Sequence, residues 1–144
     1  MPAVRRTRAM ELMWRLHRFY YRISGGRIGA RVGPLPVLLL TVKGRRTGEP
    51  RTVALNYVED ARRFVVFASH AGEDREPPWW LNLREAREAD LQIGTRHLRV
   101  HAREAEGEER EQLWSRVIAV DPAYEDYQRR TERRIAVVVL EPAG

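Results

Sequence analysis

The apolar runs of this chain are each about the length of one β-strand, and most are separated by only a turn. Val37–Lys43 (VLLLTVK) and Arg51–Val58 (RTVALNYV) flank Gly44-Arg45-Arg46-Thr47-Gly48-Glu49-Pro50, a loop bounded by glycines, and so read as a hairpin. Glu59-Asp60-Ala61-Arg62 turns into a third strand, Arg63–Ser69. Asp90–Ile93 and His97–Glu104 form another hairpin, turned at Gly94-Thr95, and Arg134–Glu141 (RIAVVVLE) is a buried final strand. Strands joined by short turns pair antiparallel, and the strict strand–helix alternation of a doubly wound parallel sheet is missing. The expected fold class is therefore α+β, an antiparallel barrel or sheet with interspersed helices.

The helical segments are fewer. Residues 7–24 repeat apolar positions at near-helical spacing, with Arg15, Arg18 and Arg22 elsewhere, which predicts a basic amphipathic helix ended by Gly25-Gly26. Gly29, Gly33, Pro34 and Pro36 make the next link irregular. Pro77-Pro78 suits a first helical turn, so Pro78–Glu85 reads as a short helix. Gly107–Val120 is a helix with acidic residues in its first turn, and Ala123–Arg130 is helical or turn-like. The expected organisation is an amphipathic arm, 1–33, followed by one barrel domain, 34–144.

Charge divides along the same line. The chain carries a net +6, but residues 1–33 hold eight Arg and one Glu, and the remainder holds 18 basic and 19 acidic residues. The basic character belongs to the arm, which points to an anionic partner there, such as lipid headgroups, nucleic acid or a polyanion. With the barrel portion near neutral, nucleic acid is not an expected partner. There is no cysteine, so disulfides, thiolate metal sites and cysteine nucleophiles are excluded. His17, His70, His97 and His101 lack metal-binding spacing, and His97 and His101 read as exposed ladder residues, so no metal is expected. No run of about 18 apolar residues spans a membrane and no secretory signal is recognisable. The expected location is the cytoplasm, with a peripheral position at the inner face of the membrane if the arm binds lipid.

Four patches have the composition of a binding site. Gly44, Arg45, Arg46, Thr47 and Gly48, with Arg51 beyond, combine close backbone approach with bidentate anion donors; the ordinary reading is a solvated turn. Ala68-Ser69-His70-Ala71-Gly72 ends a strand, where Ser69 is placed to donate to a carbonyl or ring nitrogen. His70 reads as an acid, a phosphate contact or a plain loop residue. Pro78, Trp79 and Asn82 lie on the short helix, the tryptophan either capping the core or facing a ligand, the amide suited to a ring edge or phosphate. Tyr124 and Tyr127 stand three apart on one helical face, where they either line an aromatic pocket or pack on the barrel.

Taken in order, these patches resemble the deazaflavin (F420)-dependent nitroreductases of mycobacteria and their actinobacterial relatives. The matching pieces are Gly44-Arg45-Arg46-Thr47-Gly48 with Pro50-Arg51, Ala68-Ser69 with Gly72, and Pro77 with Trp79 and Leu81-Asn82-Leu83. Tyr124-x-Asp126-Tyr127 and Val138-Val139 with Glu141-Pro142 complete the set. The resemblance implies a split β-barrel like that of FMN-binding flavoproteins, and coenzyme F420 as the cofactor, with FMN as second choice. It implies that Arg45, Arg46, Thr47 and Gly48 hold the phosphate and oligoglutamate tail. Ala68, Ser69, Pro78, Trp79 and Asn82 surround the deazaflavin, and Tyr124 and Tyr127 face the substrate. The implied activity is hydride transfer from F420H2 to a quinone, nitroaromatic or other activated acceptor; the alternative is a barrel that binds F420 or flavin without turnover. Family members often carry a membrane-associating arm, and this barrel class often dimerises, so peripheral contact through residues 7–24 and a homodimer are expectations. His70 stands where relatives often have lysine, Pro78 where they have a methionine-like residue, Asp121 in place of a substrate-cluster tyrosine, and Asn56 near an expected aromatic.

Overall fold

The computed structural model describes residues 8–24, 31–32 and 34–143. Strand β1 (Arg31–Val32) pairs with β2 (Leu35–Lys43), which forms the expected hairpin with β3 (Pro50–Asn56). Then come β4 (Val58–Asp60), β5 (Arg63–Phe67), β6 (Glu88–Ile93), β7 (Arg96–Glu104) and β8 (Val137–Pro142). The helices are α1 (Arg8–Ser24), α2 (Pro78–Ala86), α3 (Gly107–Val120) and α4 (Ala123–Arg129). Gly25-Gly26, Gly29 and Gly33, read as breaks, lie outside the described residues.

All strand pairs are antiparallel, and their order is β2-β6-β7-β8-β5-β4, with β3 on β2. Since β3 and β4 are separated only by Tyr57, the two ends of this sheet are consecutive in the chain, and the sheet curls into a barrel. The sequence reading of Arg51–Val58 as one strand is corrected here. Tyr57 leaves the ladder and donates its N–H to the Pro36 carbonyl at 3.1 Å. Its ring enters the barrel against Phe64, whereas Val58 packs in the layer outside.

Side-chain alternation explains why the strands read as continuous apolar runs rather than as alternating ones. Along β2, Leu38, Leu40 and Val42 fill the barrel, while Val37 and Leu39 meet Tyr21 of α1. Along β8, Val138 and Leu140 point inward and Val137 and Val139 meet Leu113 and Val117 of α3. Trp80 and Leu83 of α2 join the inner cluster. The final strand begins at Val137 rather than Arg134, because the preceding backbone is bonded by side chains. Ile135 donates its N–H to Gln128 Oε1 at 3.0 Å, and its carbonyl accepts from Arg110 at 2.6 Å. Likewise β5 stops at Phe67, before Ser69. His97 and His101 are exposed, as expected.

Helix α1 has two faces. Trp14, His17, Arg18 and Tyr21 turn toward the barrel, and the Tyr21 hydroxyl accepts the Gly94 N–H at 2.9 Å. Leu12, Met13, Leu16 and Phe19 form an apolar stripe on the other side, each about half exposed. No described helix is long and apolar enough to cross a membrane.

Candidate active site

The hairpin between β2 and β3 closes on itself before it meets anything else. The Gly44 N–H donates to the Glu49 carbonyl at 2.8 Å, and the Gly48 N–H to the Gly44 carbonyl at 2.9 Å. A Cβ on Gly44 would stand 3.1 Å from that Glu49 oxygen, and Gly48 has a left-handed φ of 76°. Both glycines are therefore required by the turn. The Thr47 hydroxyl accepts from the Glu49 N–H at 3.2 Å, so its oxygen is already used within the loop. Asn82 of α2 ties the tip down: its buried Oδ1 accepts the Arg45 N–H at 3.1 Å and the Arg45 guanidinium at 2.7 Å. Arg46 and Arg51 remain exposed.

The loop after β5 is wound the opposite way from ordinary backbone. His70, Ala71 and Gly72 have φ of 47°, 53° and 80°. Left-handed backbone costs an L-residue about 1–2 kcal/mol, so something must hold it. Arg133 does. Its guanidinium donates to the carbonyls of Ala68, Ser69 and Glu73 at 2.9, 2.8 and 2.9 Å. Burial pulls the Arg133 pKa down, and the carboxylates of Glu76, Asp74 and Glu73 oppose this. Gly72 admits no side chain, since a Cβ there would lie 2.8 Å from the Tyr127 carbonyl. The His70 ring stays with its own loop, with Nδ1 3.3 Å from the Arg75 carbonyl and 3.2 Å from the Glu73 carboxylate.

The third wall is the α3–α4 corner. The Asp121 carboxylate accepts the Ala123 N–H at 3.1 Å and so starts α4. Tyr124 is buried against Phe67 and Trp114, with Tyr127 5.4 Å away ring to ring. Burial raises the pKa of both phenols, and the Asp121 charge adds to the rise. Both are protonated donors at neutral pH.

These three walls enclose one cleft of about 720 Å³, within the range of ligand sites. Every site residue expected from the sequence lines it except Gly48 and Ala68. Gly48 is exposed and shapes the turn; Ala68 is fully buried behind the wall, with its N–H bonded to the Ala136 carbonyl at 3.0 Å. Pro78 and Trp79 line the cleft, whereas Trp80 lies in the core. Sequence reasoning missed Trp14 and Arg18 of α1, the β3 wall around Val53 and Leu55, and Arg75. Trp14 and Arg18 share a helical face with Tyr21, and that shared face was the available signal. Arg133 had none.

The lining carries five arginines, Arg18, Arg45, Arg46, Arg51 and Arg75, against one carboxylate, Asp121, among the described residues. Such a cleft favours a polyanion. A family model described as F420H(2)-dependent quinone reductase matches residues 12–142. The chain belongs to that family. An F420H(2)-dependent quinone reductase of Mycobacterium tuberculosis (strain ATCC 25618 / H37Rv) is 37% identical over 131 residues, covering 88% of this chain and 87% of its own. A solved F420-H2 dependent reductase, FDR-A, has a TM-score of 0.68 at 36% identity, covering 74% of this chain and 94% of its own. A structure described as a domain-swapped dimer has a TM-score of 0.70 at 32% identity, covering 91% and 99%.

The split barrel, F420 as cofactor and the oxidoreductase activity expected from the sequence therefore hold for this F420H2-dependent reductase. Of the expected acceptors, quinone is the one carried in the family's name.

Proposed function

We propose that the cleft holds reduced F420 with its tail on the arginine wall and its ring between the His70 loop and Trp79, leaving the Tyr124–Tyr127 corner to a quinone. The observation that carries this reading is the charge of the lining, five arginines to one carboxylate. FMN offers a single phosphate, which needs fewer cations than this wall supplies. Arg45, braced by Asn82, and the exposed Arg46 and Arg51 bind the tail phosphate and carboxylates. Ser69 offers a hydroxyl to the ring edge, and Pro78 and Trp79 exclude water beside it. The bound coenzyme supplies a hydride. Reducing a quinone to its hydroquinone also takes one proton, and a protonated phenol at the acceptor oxygen is suited to give it. Tyr127, half-buried where Tyr124 is fully buried, is better placed to regain that proton from solvent.

Titration with F420 beside FMN and NADPH, read by fluorescence, tests the reading. F420 binds at micromolar affinity or better and the other two bind far more weakly; absence of F420 binding sinks the proposal. Tyr127→Phe lowers kcat for F420H2 oxidation by menadione at least tenfold and moves the F420 Kd less than twofold, as befits loss of a general acid. Equal loss in both would remove the proton from Tyr127.

The same reading extends to α1, whose outer stripe we assign to an anionic lipid surface. Leu12, Leu16 and Phe19 fall on one line along the helix, and Arg8, Arg15 and Arg22 fall on a second line beside it. An apolar stripe edged by cations lies flat in a headgroup layer, and it keeps Trp14 and Arg18 in the cleft wall, facing a membrane-dissolved quinone's point of entry. The protein cosediments with vesicles containing phosphatidylglycerol and is released by salt. The triple variant Leu12→Ser, Leu16→Ser, Phe19→Ser stays in the supernatant; equal sedimentation of both would refute the assignment.

A further inference from the structure

Resting on that reading of the cleft, we infer that Asp121 is a specificity-determining residue: it sets the acceptor corner against anionic acceptors and in favour of neutral or hydrogen-bond-donating ones. Among the described lining residues Asp121 is the one carboxylate. It stands on the α3–α4 corner with Tyr124 and Tyr127, while Arg45, Arg46 and Arg51 stand on the hairpin, a different element of the cleft. Arg130 lies over the Tyr127 ring, 5.9 Å from its centroid, and is not part of the lining. Its guanidinium is therefore not a direct contact for a ligand in the cleft.

Arg18 of α1 and Arg75 of the loop after β5 also line the cleft, each on an element other than the α3–α4 corner. The hairpin attracts a polyanionic tail, and Asp121 makes the α3–α4 corner less favourable to a negative group than the rest of the lining. This difference does two things. It opposes entry of the coenzyme tail into the acceptor corner, so the coenzyme has one favoured direction. It also penalises a quinone that carries a sulfonate or an ionised hydroxyl on the ring. The Asp121 charge adds to the upward shift of both phenols, and at Tyr127 the Arg130 charge opposes it, so a ligand stacked on the two rings lies within the Asp121 field, undiminished by Arg130 only on the Tyr124 side.

Asp121→Asn tests this cleanly. The amide oxygen still accepts the Ala123 N–H, so the start of α4 is kept and only the charge is removed. Asp121→Ser is the second variant, again without charge and again able to cap. Rates of F420H2 oxidation are measured with menadione, which is neutral, and with 1,4-naphthoquinone-2-sulfonate, which is anionic. The ratio of kcat/KM for the sulfonate to that for menadione rises about five- to tenfold in both variants. Raising the ionic strength narrows the difference between wild type and variants. A ratio that stays within twofold of wild type in both variants, or that moves in one variant alone, would overturn the inference. A wild-type protein inactive with menadione would instead sink the assignment of the cleft, and the two failures are distinguishable.

Discussion

Replacing Arg46 by glutamate lowers the affinity for F420 at least tenfold and leaves the melting temperature within about a degree of wild type. Arg46 is exposed at the hairpin tip, and the turn is held by Gly44, Thr47, Glu49 and Asn82 instead, so the fold does not depend on it. A unit charge about 6 Å from an anion in a water-like medium is worth roughly 0.7 kcal/mol, and reversal doubles that to about 1.4 kcal/mol, a factor of about ten. A lower effective dielectric in the cleft enlarges the effect. The charge at Arg45 is the counterpart. Its guanidinium is fixed by Asn82 at 2.7 Å, so Asn82→Leu frees it and should weaken binding without any change of net charge. The check is a fluorescence titration at several salt concentrations. The Arg46→Glu variant shows a weaker dependence on salt, because less attraction between charges is left to screen. Unchanged affinity would place the tail elsewhere.

How much of this was legible in the sequence depends on the distance over which each feature is encoded. The hairpin tip was readable because its instructions are local: two glycines bracket two arginines and a threonine within five residues. Helix α3 was read at its observed bounds because Gly107 precedes the acidic first turn and Asp121-Pro122 ends it. The corner at Tyr57 was not readable, since RTVALNYV contains no breaker; the bend arises because one strand must serve both ends of a closing sheet. Asn82 was read as a ligand contact; it lines the cleft, and its carbonyl oxygen braces a loop 37 residues away. The family resemblance placed the same residue at the cleft without saying which group it would hold. Ala68 was expected beside the ring because the motif contains it, yet its N–H and carbonyl are both consumed by the fold. Trp14 and Arg18 enter the cleft only because α1 docks where Tyr21 finds Gly94 and Gln92, a contact some 70 residues long-range.

Arg133 is the furthest from any sequence signal, and its loss has the largest expected effect. Arg133→Met retains most of the side chain's length and removes its donors. The carbonyls of Ala68, Ser69 and Glu73, spaced around one guanidinium, then lose their shared partner. A buried acceptor left unpaired costs about 1–3 kcal/mol, and these three bonds are only part-buried, so a total near 3 kcal/mol is expected with water replacing some of the donors. For a chain of this size that corresponds to a melting temperature lower by roughly 10 °C. Stability is only half of the consequence. His70 and Ala71 hold left-handed backbone against a cost of about 1–2 kcal/mol each, and the guanidinium is what makes that conformation the lowest. Without it the loop relaxes, Ser69 and His70 leave their places in the cleft wall, and F420 affinity falls about tenfold or more. Arg133→Lys keeps the charge and three donors but not the planar fork, so it restores part of the melting temperature and little of the affinity. The two readouts separate the roles. If Arg133→Met melts lower yet binds F420 at wild-type strength at a temperature where it is folded, the residue supports the barrel alone. If Arg133→Lys restores both in step, the charge matters and the geometry of the fork does not.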